Sequence, residues 1–297
     1  MNNQDRIASD YTICVNNKKN SSKLCLILAG YKPFLWDNTL KRIKNIVPFD
    51  YDVCIVSSGR YSDKLKNVAQ TNSWTYLSTI KNNVSIAQNI ALCNFPQAKE
   101  IFKIDEDIFI TNNFFETLPQ TYMVAAKKSN FIPGVIAPLI PINGVCYVNI
   151  LKELNLEKLY SQRFEYPKYA SGVKVKIENS VEVAKFFWGA SGEIPQLDRL
   201  NAQFEAKKFK FIPTPVRFSI GAIYFKRELW EKMGMFKTGK GSGMGADELH
   251  INKYCFCKSR PILISLNSVV GHLSFTQQNQ EMSKFYEQNT ELFSQIL

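Results

Sequence analysis

The feature that most constrains this chain is a regular alternation of short apolar runs and helix-like segments over residues 23–113. Strand-like runs occur at 24–29, 51–56, 75–77 and 101–104. The first is apolar throughout, which is typical of a strand buried on both faces of a parallel sheet. Segments 37–46, 62–69 and 84–92, which lie between them, are predicted to be helices. The alternation predicts an α/β fold with a mostly parallel central sheet and helices on both faces.

Polar or flexible residues follow three of the predicted strands directly. Gly30 ends the first run, Ser57 the second and Asp105 the fourth. Ligands of open parallel sheets bind beyond the carboxyl ends of the strands. We therefore expect these three positions to meet in one crevice.

Three carboxylates, Asp105, Glu106 and Asp107, interrupt the apolar run that begins at 101. In an extended chain Asp105 and Asp107 point the same way, because side chains alternate along a strand. Two carboxylates on one side can share Mg²⁺ or Mn²⁺, which take oxygen ligands and bind nucleotide phosphates. The alternative is a solvated strand end without a ligand. Glu106, which points the other way, is predicted to be structural.

The chain has 297 residues, enough for one large domain or two small ones. No run reaches the roughly 18 to 20 apolar residues of a membrane span, and residues 1–10 have no apolar core of a signal peptide. Most of the seven cysteines lie in apolar runs, as buried free thiols do in a reducing compartment. Cys255 and Cys257 form half a zinc motif without a second pair. These features predict a cytoplasmic protein, with peripheral binding to a membrane left open.

The formal net charge of +11 is concentrated in the second half of the chain. Residues 161–260 hold 18 Lys and Arg against 10 Asp and Glu. A basic surface favours anionic partners such as nucleotide phosphates, phospholipids or nucleic acid. Alternatively, the basic surface binds no partner and only increases the solubility of the protein.

The remaining segments give a coarser pattern. Residues 1–22 are predicted to be a loose start, and 114–275 to form a second half of the same domain before a C-terminal helix at 276–297. Strands are predicted at 123–126, 134–137, 218–225 and 262–265, and helices at 148–160, 184–188, 227–235, 246–257 and 281–297. The glycine-rich segment 237–245, with Lys237 and Lys240, is predicted to close over the crevice as a lid.

Four segments together resemble the glycosyltransferases of the GT-A fold, and most closely the bacterial family 2 type. They are the opening strand and loop at 24–32, the helix start at 83–89, the Asp-x-Asp motif at 105–107, and a late segment that runs from Gly221 to an acidic pair, Asp247 and Glu248. The resemblance covers about residues 23–113 and 216–275. It implies a nucleotide-sugar donor, a UDP-sugar being favoured, and Mn²⁺ or Mg²⁺ as cofactor.

The resemblance also implies roles for individual residues. Asp107 and His272 are expected to hold the metal, and Asp105 to contact the metal shell or the ribose. The predicted donor-binding residues are Ala29, Gly30, Tyr31, Lys32, Ser57, Arg60, Asn83, Gln88, Asp105 and Gly243. The family's acidic residue at the end of the second strand is replaced here by 57–60, Ser-Ser-Gly-Arg. The base of the nucleotide is therefore left open.

Sugar transfer also needs a base for the acceptor hydroxyl. Asp247 is our first choice and Glu248 the second, against the alternative that Asp247 only caps its helix. His250 is predicted to be structural or to face the acceptor. Five aromatic side chains are either sugar platforms or, as favoured for each one alone, core residues: Phe186, Phe187, Trp188, Tyr224 and Trp230.

The function predicted from these features is a metal-dependent glycosyltransferase. The basic second half favours an anionic acceptor, either a lipid-linked glycan or modified DNA. Two alternatives remain at this stage, a sugar nucleotidyltransferase and a non-enzymatic basic protein that binds nucleic acid or membranes. The first is disfavoured because the loop at 29–33 lacks that class's glycine-rich, arginine-containing sequence.

Overall fold

A computed structural model describes residues 3–170, 174–239 and 245–296 of the chain. Eleven strands lie within these ranges: β1 Tyr11–Val15, β2 Lys23–Leu28, β3 Asp52–Ser58, β4 Thr75–Thr79, β5 Glu100–Asp105, β6 Ile108–Phe109, β7 Val135–Leu139, β8 Phe211–Pro213, β9 Ala222–Lys226, β10 Ile262–Val269 and β11 Gly271–His272.

The α-helices of the same ranges are α1 Trp36–Ile46, α2 Asp63–Thr71, α3 Val84–Asn94, α4 Phe114–Lys128, α5 Cys146–Glu153, α6 Glu157–Arg163, α7 Val181–Phe187, α8 Leu197–Glu205, α9 Arg227–Lys232, α10 Ala246–Cys257, α11 Asn279–Gln288 and α12 Thr290–Phe293. Three short 3-10 helices accompany them, at Asn3–Ile7, Lys176–Glu178 and Thr276–Gln278.

Nine of the strands form one mixed sheet in the order β1-β4-β3-β2-β5-β9-β7-β10-β8. Strands β4, β3, β2 and β5 pair in parallel, and β7 pairs in parallel with β10. Strand β9 joins the two groups and is antiparallel to both of its neighbours, while β1 and β8 are antiparallel edge strands. The predicted mostly parallel sheet is therefore confirmed.

The central strands are buried because they are apolar on both faces. Residues 24–27 of β2 and 54–55 of β3 are completely inaccessible to solvent. Helices α2 and α3 pack against strands of the first half, and α4 and α8 against strands of the second. Burial of this kind stabilises the sheet by about 25 cal/mol per Å² of apolar surface.

Several segments differ from the sequence-based expectation. Residues 11–15, within the segment expected to be loose, form β1, which pairs with β4. The predicted strand at 123–126 is part of α4, so its apolar residues follow a helical rather than a strand period. The predicted helix at 148–160 is divided into α5 and α6 at Asn155, whose φ of +57° ends a helix. The closing helix likewise divides into α11 and α12 around Asn289. The domain boundaries after 22, 113 and 275 stay predictions.

A second, two-stranded sheet lies directly after the acidic motif. Strand β6 pairs with β11 in antiparallel register, with Ile108 opposite His272 and Phe109 opposite Gly271. The N–H of Leu273 also donates to the carbonyl of Asp107, at 3.1 Å. This pairing brings a residue near the C-terminal end of the chain next to the end of β5.

Candidate active site

A cleft of about 850 Å³ opens where the central parallel strands end. Its walls come from the loop after β2, the acidic motif after β5, the segment before β9, the start of α10 and the segment after β11. Of the predicted site residues, Ala29, Tyr31, Lys32, Asp105, Asp107, Asp247, Glu248 and His272 line it. Of the three strand-end positions expected to meet in one crevice, only Asp105 lines this cleft; Gly30 donates its N–H to Glu106, and Ser57 is fully buried.

Glu106 is the anchor of the loop that follows β2. Its carboxylate accepts hydrogen bonds from the backbone N–H groups of Gly30, Tyr31 and Lys32 at 3.0 to 3.1 Å, and from Nε1 of Trp36 at 2.6 Å. Four donors to one carboxylate fix the loop with charge-assisted bonds. Glu106 therefore has a structural role: it connects the acidic motif to the first loop of the cleft.

We expect Glu106→Gln to lower the free energy of unfolding by about 2 to 3 kcal/mol, because a glutamine amide turns a donor toward buried backbone donors. Urea unfolding followed by circular dichroism measures this. Glu116→Gln is the matched control, since Glu116 is exposed and its change should stay within about 0.5 kcal/mol. Equal effects in the two variants would contradict the anchoring role.

Asp107 and His272 face each other across the end of the cleft. Oδ2 of Asp107 lies 3.5 Å from Nε2 of His272 and also contacts Nζ of Lys32. Burial raises the pKa of Asp107, but His272 and Lys32 outweigh it and hold the pKa of this carboxyl well below its usual range. Asp107 is therefore charged at neutral pH.

The surroundings of His272 suit a metal ligand. Its Nδ1 lies 2.9 Å from the carbonyl oxygen of Ile142, which can only accept, so Nδ1 carries the hydrogen. In the neutral ring Nε2 then turns its lone pair toward Asp107. A backbone carbonyl on the far ring nitrogen is the usual way in which a metal-binding histidine is oriented. The pair therefore fits a divalent cation that contacts both groups.

The three predicted metal ligands do not form one ligand set. Across the described ranges no three His, Cys, Asp or Glu side chains converge as a metal cage would. Asp105 has a different partner: its Oδ1 lies 2.6 Å from Nζ of Lys103, which is buried and also donates to the carbonyl of Ile220 at 2.8 Å. Asp107 and His272 alone would thus be the protein ligands of a hard divalent cation, which takes oxygen ligands readily.

Lys103 was missed as a site residue by the sequence analysis. A lysine inside an apolar strand requires a buried partner, and this requirement was the available signal. Burial raises the pKa of Asp105 to about 6, with Asp107 and Asp247 adding to the increase and Lys103 opposing it. The positive charge of Lys103 therefore lowers the cost of placing the Asp105 carboxylate beside that of Asp107 in one wall of the cleft.

The acidic pair at the start of α10 forms part of the cleft wall. Asp247 is buried, and its Oδ2 accepts from Nε2 of Gln88 at 2.7 Å. Oε1 of Glu248 lies 3.0 Å from a guanidinium nitrogen of Arg217, which also approaches Glu178 at 3.7 Å. Burial raises the pKa of Glu248 to about 7, with Arg217 opposing and Asp247 adding to the increase. Two carboxylates with different partners are thus available on this wall.

Three of the predicted donor-binding residues, Ser57, Asn83 and Gln88, have other roles in the structure. Ser57 is fully buried against the hydroxyl of Tyr76, and Asn83 caps α3 through its side-chain oxygen. Gln88 lies behind Asp247 rather than in the cleft wall. Arg60 differs from these three, since it lies over the ring of Tyr31, 5.8 Å from its centroid, and Tyr31 lines the cleft.

Gly243 lies outside the described residues, as do Lys240 and most of the segment predicted to be a lid. Of the described part of that segment, the N–H of Lys237 donates to Nδ1 of His250 at 3.1 Å. This contact agrees with a structural role for His250.

The five candidate aromatic platforms are core residues, each with at most 5% of its surface exposed. Trp188 packs on Gly271, where an added Cβ would approach the indole ring to 2.4 Å, and its Nε1 donates to the carbonyl of Leu273 at 3.2 Å. Trp188 therefore supports β11 and, through it, His272. All seven cysteines are free thiols, as expected.

No family model and no curated protein matches the chain. Solved structures with similar folds include the following two. One is GalNAc-T7 with UDP, GalNAc and Mn²⁺, at a TM-score of 0.51 and 12% identity over 88% of this chain and 45% of that one. The other is the mannosyltransferase PcManGT from Pyrobaculum calidifontis with GDP-Man and Mn²⁺, at a TM-score of 0.50 and 13% identity over 91% of this chain and 62% of that one.

The chain has the GT-A fold. It spans between about half and three fifths of the length of these two structures. Within residues 3–170, 174–239 and 245–296, no helix is both long enough and apolar enough to cross a bilayer.

Proposed function

We propose that this protein is a metal-dependent glycosyltransferase, which moves a sugar from a nucleotide-sugar donor to an acceptor hydroxyl. The observation that carries the proposal is the placement of Asp107 with His272 and of Asp247 with Glu248 in the walls of one cleft. The first pair suits a cation and a diphosphate, and the second pair suits a hydroxyl. The two similar GT-A structures, which hold UDP with GalNAc or GDP-Man and also Mn²⁺, support a nucleotide-sugar donor.

On the donor side, Asp107 and His272 would hold the cation. When bound, a divalent cation acts as a Lewis acid that stabilises charge developing on the leaving diphosphate. Asp105 would contact the ribose, with one oxygen held by Lys103 and the other near Gly221. The loop at 29–32, held by Glu106, would present Tyr31 to the nucleotide, and Arg60 extends the same wall.

On the acceptor side, Asp247 would take the proton from the attacking hydroxyl. Gln88 holds one of its oxygens, which fixes the direction of the other. Glu248, Arg217 and Glu178 form a row of polar groups that can hydrogen-bond to sugar hydroxyls.

The charge of the cleft refines the proposal for the acceptor. Among its described wall residues, six carboxylates face four basic side chains, and the basic segment 161–260 contributes only Lys174 and Arg217 to these walls. This balance favours an uncharged sugar hydroxyl as the reacting group. A lipid-linked glycan or a sugar on modified DNA still fits, with the anionic carrier contacting basic residues outside the cleft.

A thermal-shift screen of nucleotide sugars with Mn²⁺ tests the proposal. A ligand that binds only the folded protein stabilises it by about 2.7 kcal/mol at 100 times its Kd, which raises Tm by roughly 5 to 10 °C for a chain of this size. We expect such a shift with a UDP-sugar and Mn²⁺ together and a smaller one with either alone.

The same screen separates the alternatives. A sugar nucleotidyltransferase would respond to a nucleoside triphosphate and a sugar phosphate. A nucleic-acid-binding protein would bind duplex DNA in a salt-dependent way without any response to nucleotide sugars. No shift with any nucleotide sugar would contradict the proposed function.

A further inference from the structure

One oxygen atom of the cleft has two cationic or potentially cationic neighbours. Oδ2 of Asp107 contacts Nζ of Lys32 and lies 3.5 Å from Nε2 of His272. Nζ of Lys32 is also 3.4 Å from Oδ1 of Asn279, on the segment after β11. This oxygen is the Asp107 atom that lies toward His272, so a cation that bridges the two residues through it would compete with Lys32.

The backbone of Lys32 is fixed while its ammonium group is not. The N–H of Lys32 donates to Oε2 of Glu106 at 3.1 Å, within the four-donor anchor described above. The side chain of Lys32 is about one-fifth exposed, and among the residues that the structure describes its ammonium bonds to the side chains of Asp107 and Asn279. Rotation of this side chain alone can therefore release Asp107, without movement of the loop.

We propose that Lys32 is a built-in counter-ion of Asp107 which a divalent cation displaces, and that the diphosphate of the donor then receives the freed ammonium group. The inference rests on the proposed function, because it requires a metal and a diphosphate in this cleft. It assigns Lys32 a positioning role that couples the two binding events.

The coupling follows from the charges. If a cation binds to Asp107 alone, the displaced ammonium remains near a like charge, which weakens binding. If a diphosphate is present, it offers the ammonium an anionic partner. Metal and nucleotide therefore bind with positive cooperativity, and each raises the affinity for the other by the same factor.

The test is a calorimetric titration of the full chain with Mn²⁺, in the absence and presence of UDP. Lys32→Met removes the competing charge, and Lys32→Arg keeps it. Lys232→Met is the matched control, since Lys232 pairs with Glu228 on the surface and does not line the cleft. Circular dichroism checks that each variant is folded, and Lys32→Gln replaces Lys32→Met if the latter is not.

We expect Lys32→Met to bind Mn²⁺ alone about tenfold more tightly than the wild type, and the enhancement by UDP to fall by about tenfold, within the usual range of coupling between sites. Some enhancement should remain, because phosphate oxygens contact the metal directly. Lys32→Arg and Lys232→Met should behave like the wild type.

Two results would contradict different claims. If the wild type binds Mn²⁺ with UDP but Lys32→Met shows the same Mn²⁺ affinity and the same enhancement, the counter-ion role of Lys32 is wrong and the proposed function stands. If the wild type binds neither ligand, the proposed function itself is contradicted.

Discussion

Asp107→Asn is expected to lower metal-dependent sugar transfer by about two to three orders of magnitude, while the protein stays folded. Asparagine keeps the size of the side chain but removes the charge that a divalent cation needs beside His272. Oδ2 of Asp107 lies 3.5 Å from Nε2 of His272, and in the described part of the chain no group of three such ligands could take over the cation. The rate of nucleoside diphosphate release at saturating Mn²⁺, followed by chromatography, measures the effect.

The control is Asp50→Asn, which removes a carboxylate of the same size from an exposed pair with Lys23. That change should leave the rate within a factor of two. The shift of Tm by Mn²⁺ with UDP should also disappear in Asp107→Asn, which separates lost binding from a lost chemical step. Full activity of Asp107→Asn would remove the basis for the metal site.

The fold was largely predictable because its central strands carry their own signal. The run at 24–29 is apolar on both faces, and only a strand covered on both sides buries such a run fully. The edge strand β1 lacks that signal: Tyr11 and Thr12 are exposed, and the strand exists because its backbone pairs with β4. Edge pairing of this kind depends on a partner distant in sequence, which local patterns do not specify.

The site was predictable as a set of strand ends but not as a set of contacts. Asp107 and His272 were expected to hold a metal and Asp247 to act as the base, and all three line the cleft. The link between Asp107 and His272, however, is a two-residue strand pair, which is too short for any periodicity. Ser57 followed a strand in the same way as Asp105, yet its hydroxyl turns inward to Tyr76. Whether a side chain at a strand end faces ligand or core is decided by packing.

Asp247→Asn is expected to lower sugar transfer by about 10²- to 10⁴-fold, the usual contribution of a general base. Donor binding should change little, because Asp247 belongs to the acceptor side of the cleft and not to the metal pair. The side-chain oxygen of the asparagine can still accept the hydrogen bond from Gln88. Transfer to an acceptor sugar and binding of UDP with Mn²⁺ are measured on the same preparation. A loss confined to binding would contradict the assignment.

Glu248→Gln distinguishes the second candidate through its pH dependence. Burial raises the pKa of Glu248 to about 7, so its carboxyl gains a proton as the pH falls through neutrality, and a base is active only when deprotonated. If Glu248 were the base, the wild-type rate would rise through about pH 7 and Glu248→Gln would lose the rate at every pH. With Asp247 as the base, Glu248→Gln should keep most of the rate at high pH and lose any rise near pH 7, since only the charge beside Arg217 is removed.

Glu182→Gln, which changes an exposed partner of Lys185, should leave the whole profile unchanged. The pair of profiles therefore assigns the proton acceptor between two adjacent carboxylates that the static structure places in one wall.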